Sequence, residues 1–199
     1  VRNRLAAIST DGRLLGWNPN SNGIVTSVAT SDTDLYIGGD FTAIGGNTRN
    51  HLAAVGVDGT VLPWNPNANV YPNTIVVAGA TVYVGGDFTT ISGTPRNRLA
   101  AIGTNGSLLP WNPNVNGSVN TLAISASGLT VFAGGSFTQV GCAAGCSITP
   151  AQTRNRLAAI GTDATLSTWN PNLNDTVNAL AVGGSTIYVS GNFSTIGGV

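Results

Sequence analysis

The chain has few charged residues, and two of the four charged residue types do not occur in it. Only 8% of its 199 residues are charged, every charge is an Arg or an Asp, and eight of each give a formal net charge of zero. A surface that binds nucleic acid usually carries a clustered excess of Lys and Arg, which displaces counterions from the phosphates. The balanced composition therefore predicts that the protein does not bind nucleic acid.

Met, metal ligands and long apolar runs are also missing or scarce. Met is absent even at position 1, which indicates a mature or excised piece. No run approaches the ~18 consecutive apolar residues of a membrane-spanning helix, so we predict no membrane span. One histidine, His51, and two cysteines do not form a tetrahedral zinc set, and no nucleophile elbow lies near His51. We predict no catalytic residues, no metal and no cofactor.

The sequence does contain a repeat with a period of 47 residues. The tetrapeptide Trp-Asn-Pro-Asn occurs four times, beginning at Trp17, Trp64, Trp111 and Trp169. An Arg-Asn-Arg-Leu-Ala-Ala-like segment and a Gly-Gly-Asp-Phe-like block recur with it, and such self-similarity identifies a repeat architecture. We therefore divide a single domain, 1–199, into repeat units 1–48, 49–95, 96–153 and 154–199, of which the third carries an insertion.

Each unit has the pattern of four short strands. In the first unit Arg4–Ile8 leads through the turn pair Asp11-Gly12 into an arm that ends at Trp17, and the segments Val25–Thr30 and Asp34–Thr42 follow. The corresponding pairs of segments in the other units are 73–77 with 81–89, 119–124 with 130–138, and 177–182 with 186–194. No window shows sustained helical spacing, so the pattern predicts an all-β protein.

Four short strands in about 47 residues favour a β-propeller of four-stranded antiparallel blades, which could be part of a larger propeller. One such sheet has two apolar faces and buries them only by stacking on its neighbours. The recurring Trp has two interpretations, a side chain that fills the gap between sheets or one that stacks on a ligand. We favour the structural interpretation for Trp17, Trp64, Trp111 and Trp169, with Asn-Pro-Asn forming the turn that follows.

The consensus RNRLAAI…DG.L..WNPN…TVYVGG.FT.IGG resembles the delta-sixty type of β-propeller repeat, and LYIGGDFT is similar to repeats of fungal cell-pole marker proteins. The resemblance covers essentially the whole chain. It implies a propeller in a secreted or cell-surface protein and brings no general catalytic motif. The chain departs from the pattern at Ser136, Ala164, Ser190 and Asn192 and in the insertion of the third unit.

Four polar residues are the candidate binding positions. Asp40 and Asp87 occupy equivalent positions beside paired glycines, and Ser136 and Asn192 replace them in the other two units. If the four side chains face a propeller axis, they form a ring able to hold water or a cation, and two acids could also serve glycoside hydrolysis. If they face sideways they cap backbone groups, which is the interpretation we favour.

The repeated arginines have two interpretations as well. As a functional set they would grip carboxylates or acidic sugars. As a structural set, which we favour, each would reach an Asp or a carbonyl of the next blade. The members of this set are Arg2, Arg49, Arg96 and Arg154.

Cys142 and Cys146 lie together in the insertion, and three intervening residues permit a small disulfide loop. We predict that they are bonded, as an oxidising, extracytoplasmic compartment would favour.

Two functions remain open. The first is a noncatalytic extracellular or cell-surface propeller that serves as a structural scaffold, an adhesion module or a module that binds a protein or glycan surface. The alternative is a carbohydrate-binding propeller or a polysaccharide-acting enzyme. The strand order predicts that residues 1–20 supply the last two strands of a blade and residues 174–199 the first two. We expect these segments to complete each other, either within one chain as a four-bladed ring or between chains by self-association.

Overall fold

The predicted all-β class is confirmed. The computed structural model describes residues 1–197, and no helix occurs among them; the last two residues of the segment 174–199 lie outside this range. The strands are β1 (Ile24–Thr30), β2 (Asp34–Asp40), β3 (Ala43–Ile44), β4 (Asn47–Thr48), β5 (Leu52–Gly56), β6 (Pro72–Ala78), β7 (Thr81–Gly86), β8 (Thr90–Ile91), β9 (Thr94–Pro95), β10 (Leu99–Gly103), β11 (Val119–Ile124), β12 (Thr130–Gly135), β13 (Gln139–Val140), β14 (Gln152–Thr153), β15 (Leu157–Gly161), β16 (Val177–Gly183) and β17 (Thr186–Gly191).

The long strands form four small antiparallel sheets. Sheet 1 has the order β1-β2-β5, sheet 2 the order β6-β7-β10, sheet 3 the order β11-β12-β15, and sheet 4 contains β16 and β17 alone. Each sheet with three strands therefore takes its first two strands from one repeat unit and its third from the next. This is the strand order that the sequence predicts.

The fourth strand expected in each unit is reduced to a short arm. It pairs with the third strand through one isolated bridge, such as Val55 with Val61 in sheet 1. Backbone hydrogen bonds from Leu62 N to Ala54 O and from Gly56 N to Thr60 O, at 2.9 and 2.8 Å, hold the arm in place. The ladder stops there because Pro63 and Pro66, which follow, have no N–H to donate.

The second strand of each unit ends earlier than the sequence predicts. In sheet 1 it ends at Asp40 rather than Thr42, because the side chain of Asn22 binds the chain at that point. Its Oδ1 accepts hydrogen bonds from the N–H groups of Thr42 and Ala43, at 3.0 and 2.9 Å. The chain then forms a two-residue ladder that the sequence does not predict, β3 with β4; the equivalents are β8 with β9 and β13 with β14.

The sheets stack in chain order through their first strands, β1, β6, β11 and β16. In all four sheets this strand has a bulge near its start, and in sheets 1, 2 and 3 the bulge turns one side chain toward the next sheet. Thr26 Oγ1 thus donates to Pro72 O at 2.7 Å, and Asn73 Nδ2 donates to Val119 O at 3.1 Å. Asn120 repeats the contact with Val177 O at 3.0 Å. The spacing between sheets is therefore fixed by hydrogen bonds as well as by apolar packing.

Glycine sets how closely the sheets approach. A Cβ at Gly85 would lie 2.5 Å from a methyl group of Val119 in the next sheet, and one at Gly134 would lie 2.6 Å from Val177. Any side chain at these positions would therefore push the two sheets apart. Sheet 4 carries Ser190 at the equivalent position.

The two ends of the chain differ from the three complete sheets. Residues 4–8 form no ladder, because their one pairing is the bridge from Ile8 to Leu14. This N-terminal hairpin instead packs on sheet 1, where Leu5 is buried beside Ile37. At the other end β17 pairs only with β16 and has a free edge within residues 1–197.

Candidate binding surface

Two of the four tryptophans are buried and hydrogen-bonded between sheets. Trp64 and Trp111 are each 5% exposed, and their Nε1–H groups donate to Gly103 O and Gly161 O in the following sheet, both at 2.9 Å. Each indole also meets a tyrosine ring edge-on, with ring centroids 5.1 Å apart. These two rings have no open face for a ligand.

The first and last tryptophans are only half-buried. Trp17 donates its Nε1–H to Gly56 O at 3.0 Å, as its buried equivalents do in the next sheets. Trp169 lies edge-on to Phe132 with the ring centroids 5.6 Å apart, but the Nε1–H bond is not repeated there within residues 1–197. The two half-buried indoles mark the two ends of the stack.

The repeated arginines bind carbonyls of their own sheet. Arg49 donates from Nη1 to Thr48 O at 2.8 Å and from Nη2 to Leu62 O at 2.7 Å, and Arg154 repeats both contacts. The expected link to the next blade is therefore wrong, because each guanidinium clamps two segments of one sheet. Desolvation by burial lowers the pKa of Arg96 below its ordinary value. Within residues 1–197 no arginine forms an ion pair with a carboxylate.

The four candidate polar residues lie at the end of the second strand of each sheet, but they have different partners. Asp40 Oδ1 lies 3.9 Å from His51 Nδ1 and its side chain is 61% exposed, whereas Asp87 Oδ1 accepts a hydrogen bond from the hydroxyl of Ser118 in the next sheet. At Ser136 the backbone carbonyl accepts from Arg156, and Asn192 Oδ1 accepts from Asn178 Nδ2 at 3.3 Å. No hydrogen bond or ion pair within residues 1–197 joins any two of the four.

The acidic turn residues are also locally bonded. Asp163 Oδ1 accepts from the hydroxyl of Thr165 at 2.7 Å and from its backbone N–H at 3.0 Å. The bond from the hydroxyl has the larger effect, and together the two bonds hold the pKa of Asp163 below its ordinary value of 3.8. Asn105 makes the same two contacts with Ser107. A carboxylate is therefore not needed at this turn.

The predicted disulfide is confirmed. Cys142 and Cys146 are bonded, and the loop they close packs against the third Trp-Asn-Pro-Asn segment. Asn112 Nδ2 donates to Gly145 O at 3.2 Å, and Ser147 N donates to Asn112 O at 2.8 Å. The insertion thus lies against the segment whose Trp111 fills the gap between sheets 2 and 3.

Open grooves occur at both ends of the stack, and the sequence does not predict them as ligand sites. The C-terminal groove has a volume of about 690 Å³ and is lined by Phe132, Trp169 and Ile187 among others. The N-terminal groove has a volume of about 340 Å³, and its lining includes Trp17 and Val28. Each groove therefore presents one half-buried Trp beside apolar side chains.

Comparison with known proteins gives a structural likeness without a family. No family model and no curated protein matches the chain. The crystal structure of the computationally designed Ika4 protein is similar, with a TM-score of 0.60 and 13% identity over 88% of this chain and 92% of that one. At this identity the likeness concerns the fold alone.

The residues that the structure describes, 1–197, contain no helix with the length and apolar character that a membrane span requires.

Proposed function

We propose that the chain is a noncatalytic β-propeller module of a secreted or cell-surface protein, which serves as a scaffold or adhesion unit and binds another macromolecule. The observation that carries this proposal is the use of the repeated side chains. The recurring indoles and guanidinium groups donate to backbone carbonyls in successive units. Indole and guanidinium groups that donate to backbone carbonyls of the protein are not available to a substrate, so the repeated side chains have a structural role.

The propeller is supported by the way the sheets follow one another. Each sheet packs on the next through its first strand, and the third strand and the arm lie progressively farther from that contact. Radial sheets around a common centre have this arrangement. The similarity to a designed structure over most of both chains agrees with it.

The extracytoplasmic location is supported by the disulfide and by the resemblance to delta-sixty repeats. A disulfide such as Cys142–Cys146 persists most readily in an oxidising compartment. Loops at one end of a rigid scaffold are where binding residues usually reside. The loops that differ between units, above all the insertion that carries the disulfide, are therefore the surfaces that a protein partner would recognise.

The alternative, a carbohydrate-binding module, is favoured by one observation in the C-terminal groove. Trp169 is half-exposed there, close to the hydroxyl and carboxylate of Thr165 and Asp163. An aromatic face beside polar groups is suited to a sugar ring, which is apolar on one face and carries hydroxyls at its rim. The paired acids Asp40 and Asp87 belong to the enzymatic form of this alternative.

A glycan array at several salt concentrations, combined with an assay for released reducing ends, separates these functions. The scaffold proposal predicts neither a saturable sugar signal nor hydrolysis. A saturable signal that is lost in Trp169→Ala and kept in the control Tyr71→Ala would establish the alternative. Hydrolysis that is lost in Asp40→Asn or Asp87→Asn would show that the protein is an enzyme.

A further inference from the structure

We infer that the free edge of β17 binds residues 5–9 of a second copy of this chain, so that sheet 4 is completed between chains. The inference rests on the proposed scaffold function and names a partner for it. Among residues 1–197, sheet 4 contains only the first two strands of the pattern that sheets 1, 2 and 3 complete. The missing strand and arm correspond in sequence to the N-terminal hairpin.

A backbone contact that is made in three sheets is missing in the fourth. In sheet 3 the N–H of Gly135 donates to Arg156 O at 2.9 Å, and Arg156 N donates to Phe137 O at 2.8 Å. Sheets 1 and 2 make both bonds at equivalent residues. In sheet 4 the equivalent donor is Gly191, and within residues 1–197 it meets no third strand. Its equivalent acceptor is the carbonyl of Arg4.

The register follows from the complete sheets. In sheet 3, Thr130 pairs with Gly161, Phe132 with Ala159 and Gly134 with Leu157. The same offsets in sheet 4 place Thr186 opposite Ser9 and Tyr188 opposite Ala7. A shift by one residue would turn every side chain to the wrong face, so the repeats specify this register.

The exposed side chains at the two ends fit the same arrangement. Tyr83 is 4% exposed because Trp111 covers it, whereas the equivalent Tyr188 is 63% exposed. The tryptophan that would cover Tyr188 is Trp17, in the N-terminal hairpin. The C-terminal groove is thus the space for a third strand and an arm, and the N-terminal groove is the space for the first two strands of a preceding sheet.

The occupant we infer is a second copy, because the N-terminal hairpin of this chain carries the strand and arm that sheet 4 lacks. Within residues 1–197 residues 5–9 do not pair with β17, although each is the strand that the other lacks. Ser190 also stands where Gly85 and Gly134 permit close approach, so its side chain would hold a following sheet farther from sheet 4 than the other sheets lie from one another. A ring closed within one chain has little freedom to widen one of its contacts, whereas a contact between chains has that freedom.

Disulfide trapping of the intact chain tests the register and the occupant together. One preparation carries Ser9→Cys and another carries Thr186→Cys. In the inferred register these two positions form a directly opposed, non-hydrogen-bonded pair. The Cα separation of such a pair, ~4.5 Å, suits a disulfide. Mixing them under mild oxidation is expected to give a linked dimer, at least tenfold more than the control mixture of Ser9→Cys with Ile187→Cys. The control side chain points to the opposite face.

Two results would overturn the inference. The first is an equal or absent yield of linked dimer in both mixtures. The second is a monomer in which a single chain carrying both Ser9→Cys and Thr186→Cys forms an internal disulfide between the two substituted positions, which would mean that one chain closes on itself.

Light scattering adds a readout that needs no new cysteine. Tyr188→Arg should lower the association constant at least tenfold, and the exposed-tyrosine control Tyr71→Arg should not; equal association of both variants and the parent protein would contradict the inference. None of these results depends on sugar binding or hydrolysis, so failure here is distinguishable from failure of the scaffold proposal.

Discussion

Replacing Trp111 with Ala should be among the most destabilising single changes in this chain. The indole is 5% exposed, meets Tyr83 edge-on at 5.1 Å and donates to Gly161 O at 2.9 Å. A Trp that buries ~150–250 Å² gains about 4–6 kcal/mol at ~25 cal/mol per Å², part of which the remaining Cβ retains. Loss of the hydrogen bond and of the aromatic pair adds to the cost. We therefore expect Trp111→Ala to lower the free energy of unfolding by about 3–5 kcal/mol.

Trp17→Ala is the matched comparison, because the same residue in the same motif is only half-buried there. Its expected cost is about 1–2 kcal/mol, in proportion to the smaller area removed from water. Trp111→Phe separates the hydrogen bond from the burial and should cost an intermediate amount. It keeps a ring in the gap between sheets but removes the indole donor to Gly161 O, which retains the bond from Ala164 N.

Urea unfolding followed by far-UV circular dichroism measures all three variants, since fluorescence would change with the number of tryptophans. The m-values must agree with that of the parent protein for the free energies to be compared. If Trp111→Ala lies within about 1 kcal/mol of the parent, or costs no more than Trp17→Ala, the assignment of the repeated tryptophans to the gaps between sheets is wrong.

Three further predictions concern positions where the units differ. Ala164 has a φ of 70° where Gly59 has 90°. Ala164→Gly should therefore stabilise the protein by about 0.5–1 kcal/mol, and Gly59→Ala should destabilise it by about 1 kcal/mol. If urea unfolding gives changes in the free energy of unfolding of the same sign for both variants, the turn geometry is wrong. The lowered pKa of Asp163 means that its contribution to stability is present at neutral pH and lost as the pH falls through the folded-state value. Asp163→Asn should therefore flatten the fall in melting temperature below about pH 4, and an unchanged acid profile would argue against this. Ser190→Gly should strengthen self-association in sedimentation equilibrium because it restores the close approach of the other sheets, and weaker association would contradict the packing account.

The sequence predicts the secondary structure well where the residues that determine an element lie within that element. It predicts the strand Val119–Ile124 with the bounds that the structure has, and the positive φ of Gly12 and Gly59, at 89° and 90°, fits the turn pairs read from Asp-Gly. The disulfide is predictable as well, because Cys142 and Cys146 occur together in the single insertion. These features depend on residues that are close in sequence.

Features that depend on distant partners are not predictable in the same way. The second strand of sheet 1 ends at Asp40 because the side chain of Asn22, on another segment, satisfies the backbone beyond it. The carbonyls that Arg49 reaches are likewise set by the position of the arm at Leu62, which no local pattern specifies. The open grooves depend on how the first and last sheets pack. The sequence indicates them only in that residues 1–20 and 174–199 each supply two strands of the four-strand pattern.

Hydrogen exchange at the indole N–H groups tests most directly whether the repeated tryptophans have a structural role between the sheets. The protein is isotope-labelled, and Trp→Phe variants assign the four NMR signals. Trp17, Trp64 and Trp111 donate to carbonyls of the adjacent sheet and should exchange slowly. Trp169 should exchange fast in dilute protein and slow down as the concentration rises and a second copy covers it. Fast exchange at Trp64 and Trp111, equal to that at Trp169 in dilute protein, would contradict the structural role of the repeat.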